Sequence, residues 1–455
     1  MAKIDLSIEY AIITSVPAPI RYAEQIPDMV KIWEPEGYFL AQVKIWKAQS
    51  EARHKLYNSP NAKQLKQIQV ALKLTPDDIK NLQEAKGHET NKLLRTIQNR
   101  LSPEVGNFIH LGNTGSDVLD TSLSLQIIES LNIINNDFNN LEKALKKLAL
   151  KYKDTLQIGR THGQHAIPQT FGRQVVGWYA EIKRGLERIE RAKKTISVGK
   201  CSGEIGTHVF IDPKLEELAL KKLGLKPDEA PTQIISRDRH TEVVGLMIVN
   251  SDTLARIAES IRHLAMTEIS EVREPFNERF HPGSSAMPHK RNPELSERII
   301  GLNRVMRSKL SEESEASRAL FERDMSNSST ERYVFPDLFE NLAYACRLTT
   351  FIIDNLEVFP DKMRKNLNLT KGAIYSSRLM NALIKTGKYS RTQAHDLVRK
   401  LTQQAIDEEL ELRTLAANEP QISQLLKAKE LDELFDPKFY LKNIDVAFKR
   451  TSLKK

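Results

Sequence analysis

Long stretches of helical periodicity constrain the fold of this chain more than any other feature of its sequence. Apolar side chains recur every three or four residues from Leu123 to about Lys151, and again from Arg173 to Ile196. Further stretches of the same kind lie near residues 240–270, 294–315 and 337–358. At 1.5 Å per residue, a helix of about 27 residues is about 40 Å long. These stretches therefore predict an all-α fold built on an elongated bundle of long helices.

The length and composition predict how the chain is divided and where it works. At 455 residues it exceeds one compact core, and three domains are expected: shorter helices in residues 1–110, long helices in residues 111–364, and short helices in residues 365–455. The sequence has no run of about 18 apolar residues and no apolar signal core, so no membrane partner is expected. Two distant cysteines, Cys201 and Cys346, fit a reducing compartment. We therefore expect a cytoplasmic protein.

The formal net charge of +9 predicts a negatively charged partner. Such a charge fits nucleic acid, and it also fits small anionic substrates that are drawn into a basic pocket. The basic residues are spread along the chain, and aromatic residues make up only 6% of it, which is few for stacking on bases. A small anionic substrate is therefore favoured, and nucleic acid is not expected as a partner.

The most distinctive local sequence runs from Gly283 to Pro293 and reads Gly-Ser-Ser-Ala-Met-Pro-His-Lys-Arg-Asn-Pro. Two hydroxyls precede two fixed cations, which is typical of a loop that holds a polyanion; the alternative is a basic surface loop. Asn292 and Pro293 predict a helix start whose positive end faces Lys290. No Gly-x-Ser-x-Gly pattern surrounds Ser284, so we interpret this serine as a proton acceptor rather than an acyl nucleophile.

Two earlier polar segments lie outside the helical stretches. Residues 110–117 precede the first long helix, and their amides could bind an anion or could simply be capped by Ser116 or Asp117. Residues 160–166 read Arg-Thr-His-Gly-Gln-His-Ala. Their two histidines could ligate a metal, act in acid–base catalysis or be structural, but the sequence offers no third metal ligand nearby.

A fourth polar segment, from Glu322 to Arg332, carries two arginines around a cluster of hydroxyls. Arg323, Ser328 and Arg332 form a reasonable phosphate-binding set. The alternative is ion pairing along a helix, for example between Asp324 and Arg323. Phosphate-loop and dinucleotide-binding fingerprints are both absent from the sequence.

Together these segments resemble the adenylosuccinate lyase family of the fumarase/aspartase superfamily, over nearly the whole chain. The run from Gly283 to Pro293 is similar to the superfamily's loop, and Glu322–Arg332 is similar to a pattern typical of adenylosuccinate lyases. The same resemblance extends to Arg21-Tyr22 and to residues 199–203, 232–240 and 434–440. It implies an all-α homotetramer whose central helices form a twenty-helix core, with four active sites each built from three chains.

The resemblance also implies the activity. Adenylosuccinate lyases eliminate fumarate from adenylosuccinate to give AMP, and they usually cleave the succinylated aminoimidazole carboxamide ribotide of purine biosynthesis as well. The substrate is thus a small phosphorylated molecule. Neither reaction needs a metal or an organic cofactor, so none is expected here.

Roles in catalysis follow from the positions that match the family. Ser284 is expected to be the general base that removes the β-proton of the succinyl group. His162 is expected to be the general acid that protonates the departing nitrogen, with Glu297 paired to it. Lys290 and Asn292 would hold the succinyl carboxylates and stabilise the carbanion.

The remaining matching positions imply substrate binding. Thr114 and Ser116 would help to bind the succinyl end, and Gln233 would contact the substrate. His88 would lie near the phosphate or the acid group. The nucleotide end, chiefly its phosphate, would be bound by Arg21, Tyr22, Arg323, Ser328 and Arg332.

The sequence departs from the usual family pattern at several positions. Gly115 stands where serine is usual, and Glu89 stands where aspartate is usual. The other departures are a histidine for glutamine, an asparagine for histidine and a glutamate among small residues, at His281, Asn327 and Glu204. None of them removes an expected acid, base or carboxylate-binding group.

Overall fold

The computed structural model describes residues 20–276 and 287–453, and it confirms the all-α fold. The chain opens with helices that are short except for α3, which has 23 residues: α1 (Ile20–Ala23), α2 (Pro27–Trp33), α3 (Pro35–Tyr57), α4 (Ala62–Ala71), α5 (Pro76–Glu84), α6 (Glu89–Gln98) and α7 (Pro103–Gly106). The long helices follow, with one short helix among them: α8 (Gly115–Lys151), α9 (Phe171–Ile196), α10 (Pro213–Lys222), α11 (Asp238–Leu264), α12 (Glu294–Ala316) and α13 (Ser326–Asp354). The last part is again short: α14 (Pro360–Leu367), α15 (Ser376–Lys385), α16 (Arg391–Asp407), α17 (Leu412–Asn418), α18 (Pro420–Ser423), α19 (Ala428–Leu434) and α20 (Asp445–Arg450), with 3-10 turns at Ala373–Tyr375 and Pro437–Leu441.

Each stretch of apolar periodicity corresponds to one long helix, and the helices start earlier than the apolar stripes where their first turns are polar. Helix α8 has 37 residues, about 55 Å at 1.5 Å per residue. Helix α13 begins at Ser326, well before the expected start near residue 337. Its first two turns read Ser-Asn-Ser-Ser-Thr-Glu-Arg and present no apolar stripe, and Pro336 lies inside the helix. Apolar periodicity therefore finds the helix but not its first turns.

Short strands also occur, which sequence analysis did not predict. They are β1 (Leu156–Thr161), β2 (Gln164–Thr170), β3 (Val198–Gly199), β4 (Lys226–Pro227), β5 (Val272–Arg273) and β6 (Glu357–Val358). Strands β1 and β2 form an antiparallel hairpin, β3 and β4 pair in parallel, and β5 and β6 pair antiparallel. Two-residue strands are too short to give an alternating pattern in the sequence, and among the described strands only β1 and β2 are longer than that.

Local sequence chemistry sets several of the short helices. Asn61 and Gln64 form a reciprocal capping box at the start of α4. Thr75 and Asp78 do the same for α5, with Pro76 at its first position. These caps satisfy amides that a helix start leaves without partners, and they fix where α4 and α5 begin.

The chain divides into two compact units. Unit 1 contains the described residues up to Asn139 together with Arg184–Ala255 and Ile299–Leu348, and unit 2 contains the rest. The long helices α8, α9, α11, α12 and α13 each contribute residues to both units. The division into three domains at residues 110 and 364 stays a prediction.

Each unit has its own apolar core. In unit 1, Phe39 and Trp46 of α3 pack with Ile68, Leu93 and Val118. In unit 2, buried leucines of α15, α16 and α17 form a cluster, with Leu379, Leu401 and Leu412 among its members. Among the described helices, none is both long enough and apolar enough to cross a membrane.

Candidate active site

One cavity in unit 1 is lined by three of the five residues that sequence analysis assigns to the nucleotide end. Arg323 precedes α13, Ser328 lies in the first turn of this helix, and Arg332 lies one turn further along the same face. Trp33 and Leu123 supply part of an apolar wall. The lining thus combines three arginines (Arg237, Arg323 and Arg332), two carboxylates (Asp120 and Glu331) and a hydroxyl with apolar surface, close to the positive end of a long helix.

Asp324 caps this helix. It accepts hydrogen bonds from the amides of Leu320 (2.8 Å) and Ser326 (2.7 Å) and from the Ser326 hydroxyl. These bonds, with that of the Ser326 hydroxyl first, lower the pKa of Asp324 to about 2. The ion-pairing alternative requires a bond from Arg323 to Asp324. Among the described residues, however, the hydrogen bonds of Asp324 come from Leu320 and Ser326.

Arg323 brings together two other residues expected at the site. Its Nη1 donates to Ser116 Oγ at 2.6 Å and to Gln233 Oε1 at 3.1 Å. Its Nε is buried and has no hydrogen-bond partner among the residues that the structure describes. Because buried donors are nearly always paired in native proteins, this atom is a candidate for contact with a bound anion.

Arg332 is held by a carboxylate that sequence analysis noted only as a departure. Glu89 accepts both Arg332 Nη1 (2.6 Å) and Nη2 (3.1 Å), and it also accepts the Tyr38 hydroxyl. Burial opposes ionisation of Glu89, but the hydrogen bonds and charge of Arg332 outweigh it and lower the pKa of this carboxyl. The guanidinium is therefore oriented by an ionised partner before any ligand binds.

The segment that carries Thr114 and Ser116 is anchored by a buried ion pair. Asp117 and Lys200 are fully buried and form a salt bridge. Asp117 also accepts the amides of Thr114 (2.8 Å) and Ser202 (3.0 Å). Helix α8 begins at Gly115, so Thr114 takes the capping position rather than Ser116 or Asp117, and the hydroxyl of Ser116 remains for Arg323.

His88 and Tyr22 complete the expected residues of unit 1. His88 precedes the first turn of α6, and a Cβ added at Gly115 would lie 3.6 Å from its Cε1 atom. The histidine therefore lies beside the start of α8. Tyr22 stacks on Tyr344 with 4.5 Å between ring centroids.

A buried network supports one wall of the cavity. Arg237 forks to Asp120 (2.6 and 3.0 Å) and to Glu331 (2.6 and 3.1 Å), joining α8 to α13. Glu313 is fully buried, and its carboxyl oxygens have no hydrogen-bond partner among the described residues. Burial, with the charge of Glu331, raises the pKa of Glu313 to about 9. One guanidinium thus faces the carboxylates of Asp120 and Glu331, and the raised pKa of Glu313 favours its protonated form.

In unit 2, His162 lies at the tip of the β1–β2 hairpin. Thr161 pairs with Gln164, which leaves a two-residue loop of His162 and Gly163. Both loop residues have positive φ, 54° and 75°, the signature of a type I′ turn. The His162 side chain is exposed, whereas burial and the charge of Arg160 lower the pKa of His165. The two histidines therefore have different environments despite their spacing.

The segment before α12 presents Lys290 and Asn292. Lys290 is exposed and its amide donates to the Met287 carbonyl in a turn. Asn292 borders a cavity that Arg273 and Arg291 also line. Helix α12 begins at Glu294, so Pro293 lies immediately before the helix and not at its first position as expected.

A buried carboxylate satisfies the start of α12. Glu274 accepts the amides of Leu295 (3.0 Å) and Ser296 (2.7 Å). Burial raises the pKa of Glu274. The helix therefore receives its cap from a residue far back in the chain, which fixes the direction in which α12 leaves the segment that carries Lys290.

Glu297 does not meet His162 within the described chain. Its side chain is 53% exposed, and its charged neighbour is Arg262 Nε at 3.9 Å. Among the described residues, no ion pair joins Glu297 to His162. Their pairing therefore stays a proposal.

Three expectations fall on parts of the chain that the structure does not describe. Ser284 and His281 lie outside the described residues, and so does the side chain of Arg21. The positions that sequence analysis did not assign to the site, Tyr38, Lys200 and Glu274, become visible only through their contacts, since each acts on a residue distant in sequence. Within the described ranges, no cluster of His, Cys, Asp or Glu is arranged to hold a metal.

Two family models match the chain. One described as "Lyase" matches residues 21–307, and one described as "Adenylosuccinate lyase C-terminus" matches residues 372–451. The adenylosuccinate lyase of Thermotoga maritima is 37% identical over 422 residues, covering 93% of this chain and 97% of that protein. The adenylosuccinate lyase of Synechocystis sp. is 38% identical over 429 residues, covering 94% and 99%.

Solved structures give the same fold. A fumarate lyase from Mesorhizobium sp. BNC1 superposes with a TM-score of 0.83 at 26% identity, covering 93% of this chain and 97% of that chain. The 3-carboxy-cis,cis-muconate lactonizing enzyme from Pseudomonas putida superposes with a TM-score of 0.82 at 28% identity, covering 93% and 96%. Fold and sequence together define a lyase of the fumarase/aspartase superfamily. Within it, the chain belongs to the adenylosuccinate lyase family, which confirms the resemblance.

Proposed function

We propose that this chain catalyses the elimination of fumarate from adenylosuccinate to give AMP, and the equivalent cleavage of the succinylated aminoimidazole carboxamide ribotide, in purine biosynthesis. The family match over more than nine tenths of the chain carries this proposal. The cavity lined by Arg323, Ser328 and Arg332 supports it. A phosphate is what distinguishes these substrates from the non-phosphorylated substrates of an argininosuccinate lyase or a cycloisomerase.

The chemistry needs one base, one acid and a stabilised carbanion. Ser284 takes the proton from the β-carbon of the succinyl group, and Lys290 and Asn292 stabilise the negative charge that moves onto the adjacent carboxylate. The carbon–nitrogen bond then breaks, the carbon–carbon double bond of fumarate forms, and His162 gives its proton to the departing nitrogen. Glu297 orients and charges His162. Each acid or base contributes about 10²–10⁴-fold, and stabilisation of the carbanion contributes at least as much.

Binding is assigned to the residues gathered in unit 1. Arg323, Ser328 and Arg332 hold the phosphate, with Arg21 and Tyr22, and the cavity that the first three residues share supports this assignment. Thr114, Ser116 and Gln233 bind the substrate beside it, and His88 lies next to the same helix start. The substrate carries a phosphate and two carboxylates, so the basic character of the chain favours its capture.

A homotetramer in the cytoplasm completes the proposal. In the family the active sites are built from three chains, so Glu297 and His162 of one active site need not come from the same chain, and the charged neighbour of Glu297 within the described chain is Arg262. Both cysteines are buried and free, as a reducing compartment allows. Light scattering at working concentration should give a mass about four times 51.9 kDa.

Direct assay tests the function. The protein is incubated with adenylosuccinate, the loss of its absorbance is followed, and AMP and fumarate are quantified; the ribotide substrate is assayed in parallel. We expect both products in equal amounts. If high enzyme concentration yields neither AMP nor fumarate, the proposal is wrong. A mobility shift with DNA or RNA that weakens steeply with salt would instead assign the net charge to nucleic acid.

A further inference from the structure

The hairpin that carries His162 is anchored on one buried carboxylate, Glu271. This side chain is fully buried. Its Oε1 accepts Arg160 Nη2 (2.6 Å) and Asn366 Nδ2 (2.8 Å), and its Oε2 accepts Arg160 Nη1 (3.2 Å) and Gln157 Nε2 (2.8 Å). Each oxygen thus takes two donors, which fills the four lone-pair positions of an ionised carboxylate.

The backbone of Glu271 is fixed as firmly as its side chain. Its amide donates to the Leu264 carbonyl at 2.9 Å, and its carbonyl accepts the Phe359 amide at 3.0 Å. Asn366 of α14 donates to the Ile269 carbonyl as well as to the carboxylate. The carboxylate therefore belongs to a frame formed by the end of α11, the β5–β6 pair and α14, and not to the hairpin itself.

The donors on the hairpin are close to the proposed acid. Gln157 and Arg160 both belong to β1, and Arg160 stands two residues before His162, about 7 Å along an extended strand. A two-residue turn allows little slack, so a displacement of Arg160 moves the imidazole with it. The register irregularity between Ile158 and Arg160 makes this stretch of β1 depend on side-chain bonds as well as on the ladder.

We propose that Glu271 is a positioning residue for the elimination: acting through the guanidinium of Arg160, it fixes where His162 presents its proton. The inference rests on the proposed function, since it assumes that His162 is the general acid. The size of the expected effect follows from the sensitivity of proton transfer to geometry, because a displacement of about 1 Å can cost about 10²-fold in rate.

Glu271→Gln tests the proposal. The amide keeps the shape of the side chain, but its NH2 group faces donors and the fork from Arg160 is lost. We expect kcat to fall by about 30–100-fold, with KM within about threefold and with unchanged affinity for AMP, because unit 1 supplies the phosphate contacts. Arg160→Lys is the milder variant. It keeps the cation but loses the two-point fork, and we expect about a 3–10-fold fall in kcat.

Two controls separate positioning from stability. Leu379→Ala opens a void in the leucine core of unit 2 and should lower the melting temperature while leaving kcat near wild type at temperatures where the protein is folded. Glu181→Gln breaks the partly exposed pair with Arg256, 2.7 Å apart in the same unit, and should change neither quantity. If Leu379→Ala lowers kcat as much as Glu271→Gln does, the effect is one of stability and the proposal fails.

A double-mutant cycle gives the decisive measurement. If Glu271 acts only by positioning His162, Glu271→Gln should change the residual rate of the His162→Ala enzyme by less than about twofold. If Glu271→Gln lowers the rate of the His162→Ala enzyme by as much as it lowers the rate of the wild-type enzyme, the inference is wrong. The proposed function fails separately, if His162→Ala alone retains near-normal turnover. With His162→Ala impaired and Glu271→Gln fully active, the inference is wrong and the proposed function stands.

Discussion

The two groups of expected site residues differ in how far the protein has already organised them. In unit 1, Ser116 is buried, Arg323 is half-buried and hydrogen-bonded to Ser116 and Gln233, and Arg332 is held by Glu89. In unit 2, the side chains of His162, Lys290 and Glu297 are all exposed. The residues assigned to the nucleotide end are therefore set in place within the chain, and these three residues assigned to catalysis are exposed on well-anchored backbone.

The difference shows which contacts position the side chains of each group. A guanidinium fixed by carboxylate and hydroxyl partners loses little further entropy when phosphate binds, so its affinity is organised in advance. An exposed imidazole or ammonium gains its reactive environment only when neighbouring surface excludes water. In unit 2 the anchoring lies one step away from these residues, in Glu274 at the start of α12 and in Glu271 below the hairpin.

The largest expected effect is a loss of kcat on substitution of an exposed catalytic residue of unit 2. His162→Ala should lower kcat by about 10²–10⁴-fold, because it removes the general acid, while the affinity for AMP stays within about threefold. Steady-state kinetics and calorimetric titration of AMP measure the two quantities. His395→Ala, an exposed histidine in the same unit, is the matched control and should keep wild-type turnover. Near-normal kcat in His162→Ala would show that His162 is not the general acid.

The next effect concerns the buried anchor of unit 1. Lys200→Met leaves Asp117 buried without its counter-ion, so the free energy of unfolding should fall by about 3–5 kcal/mol. Lys44→Met breaks an exposed pair with Glu129 in the same unit and should change it by less than about 1 kcal/mol. Denaturant titration of both variants measures the contrast. Equal losses would mean that burial of the Asp117–Lys200 pair does not organise unit 1.

Arg332→Ala tests the organised binding group itself. Removing the guanidinium deletes a charge-assisted contact to phosphate, for which about 2 kcal/mol, or about 30-fold in KM, is expected. The change in kcat should be small. Arg318→Ala, whose side chain is 74% exposed on the surface of the same unit, is the control. An unchanged KM in Arg332→Ala would show that Glu89 occupies this arginine in the bound state too.

The long helices could be predicted because their information is local. Each apolar stripe in residues 123–358 corresponds to a helix, since a helix must bury one face and repeats that need every three or four residues. The β1–β2 hairpin could not be predicted in this way. Its turn depends on positive φ at His162 and Gly163, and histidine is not a residue by which such turns are recognised.

The candidate site shows the same difference between features that local sequence predicts and features that depend on contacts between distant residues. Arg323, Ser328 and Arg332 stand on one short segment, so sequence analysis could group them as a candidate phosphate-binding set, and the structure shows that they line one cavity. Glu89 and Glu271 were not assigned roles, because each meets its arginine across a sequence separation of more than one hundred residues. Family resemblance transfers identities at matching positions, but it does not say which carboxylate orients which cation; only the contacts do.

A smaller effect, visible as a pH dependence, is expected from Glu313 beneath the cavity. Its pKa is raised by burial to about 9, so the folded protein keeps a proton that the unfolded chain releases above its ordinary value of 4.5. Stability is therefore lost as pH rises from about 4.5 towards 9, by at most about 1.4 kcal/mol per pH unit. Glu313→Gln should remove this slope.

The measurement compares the two proteins by denaturant titration between pH 7 and pH 9, where the difference between them cancels the other titrating groups. Glu315→Gln, which removes an exposed carboxylate two residues away, should keep the wild-type slope. Parallel pH curves for wild type and Glu313→Gln would show that this carboxyl ionises normally. In that case one cation would face three charges beneath the cavity.

The smallest effect concerns Gly115, where the family usually has serine. A Cβ at this position would meet only the Cε1 atom of His88, at 3.6 Å, which is ordinary van der Waals contact. Gly115→Ser should therefore be accommodated, raise stability by about 0.5 kcal/mol through the unfolded chain and change kcat/KM by less than about threefold. Gly185→Ser is the contrasting substitution within unit 1. Its Cβ would lie 2.8 Å from Phe138 Cε1, so this substitution should destabilise the protein by about 1–3 kcal/mol.

A large loss of activity in Gly115→Ser with stability intact would contradict this expectation in an informative way. The added side chain would then have displaced His88, the one neighbour within its reach among the described residues. Substrate binding by the residues of unit 1 would in that case require His88 to lie closer to the start of α8 than a serine at position 115 allows. A gain in affinity would instead mean that the hydroxyl missing from this segment contributes to binding, and that Ser116, occupied by Arg323, does not replace it.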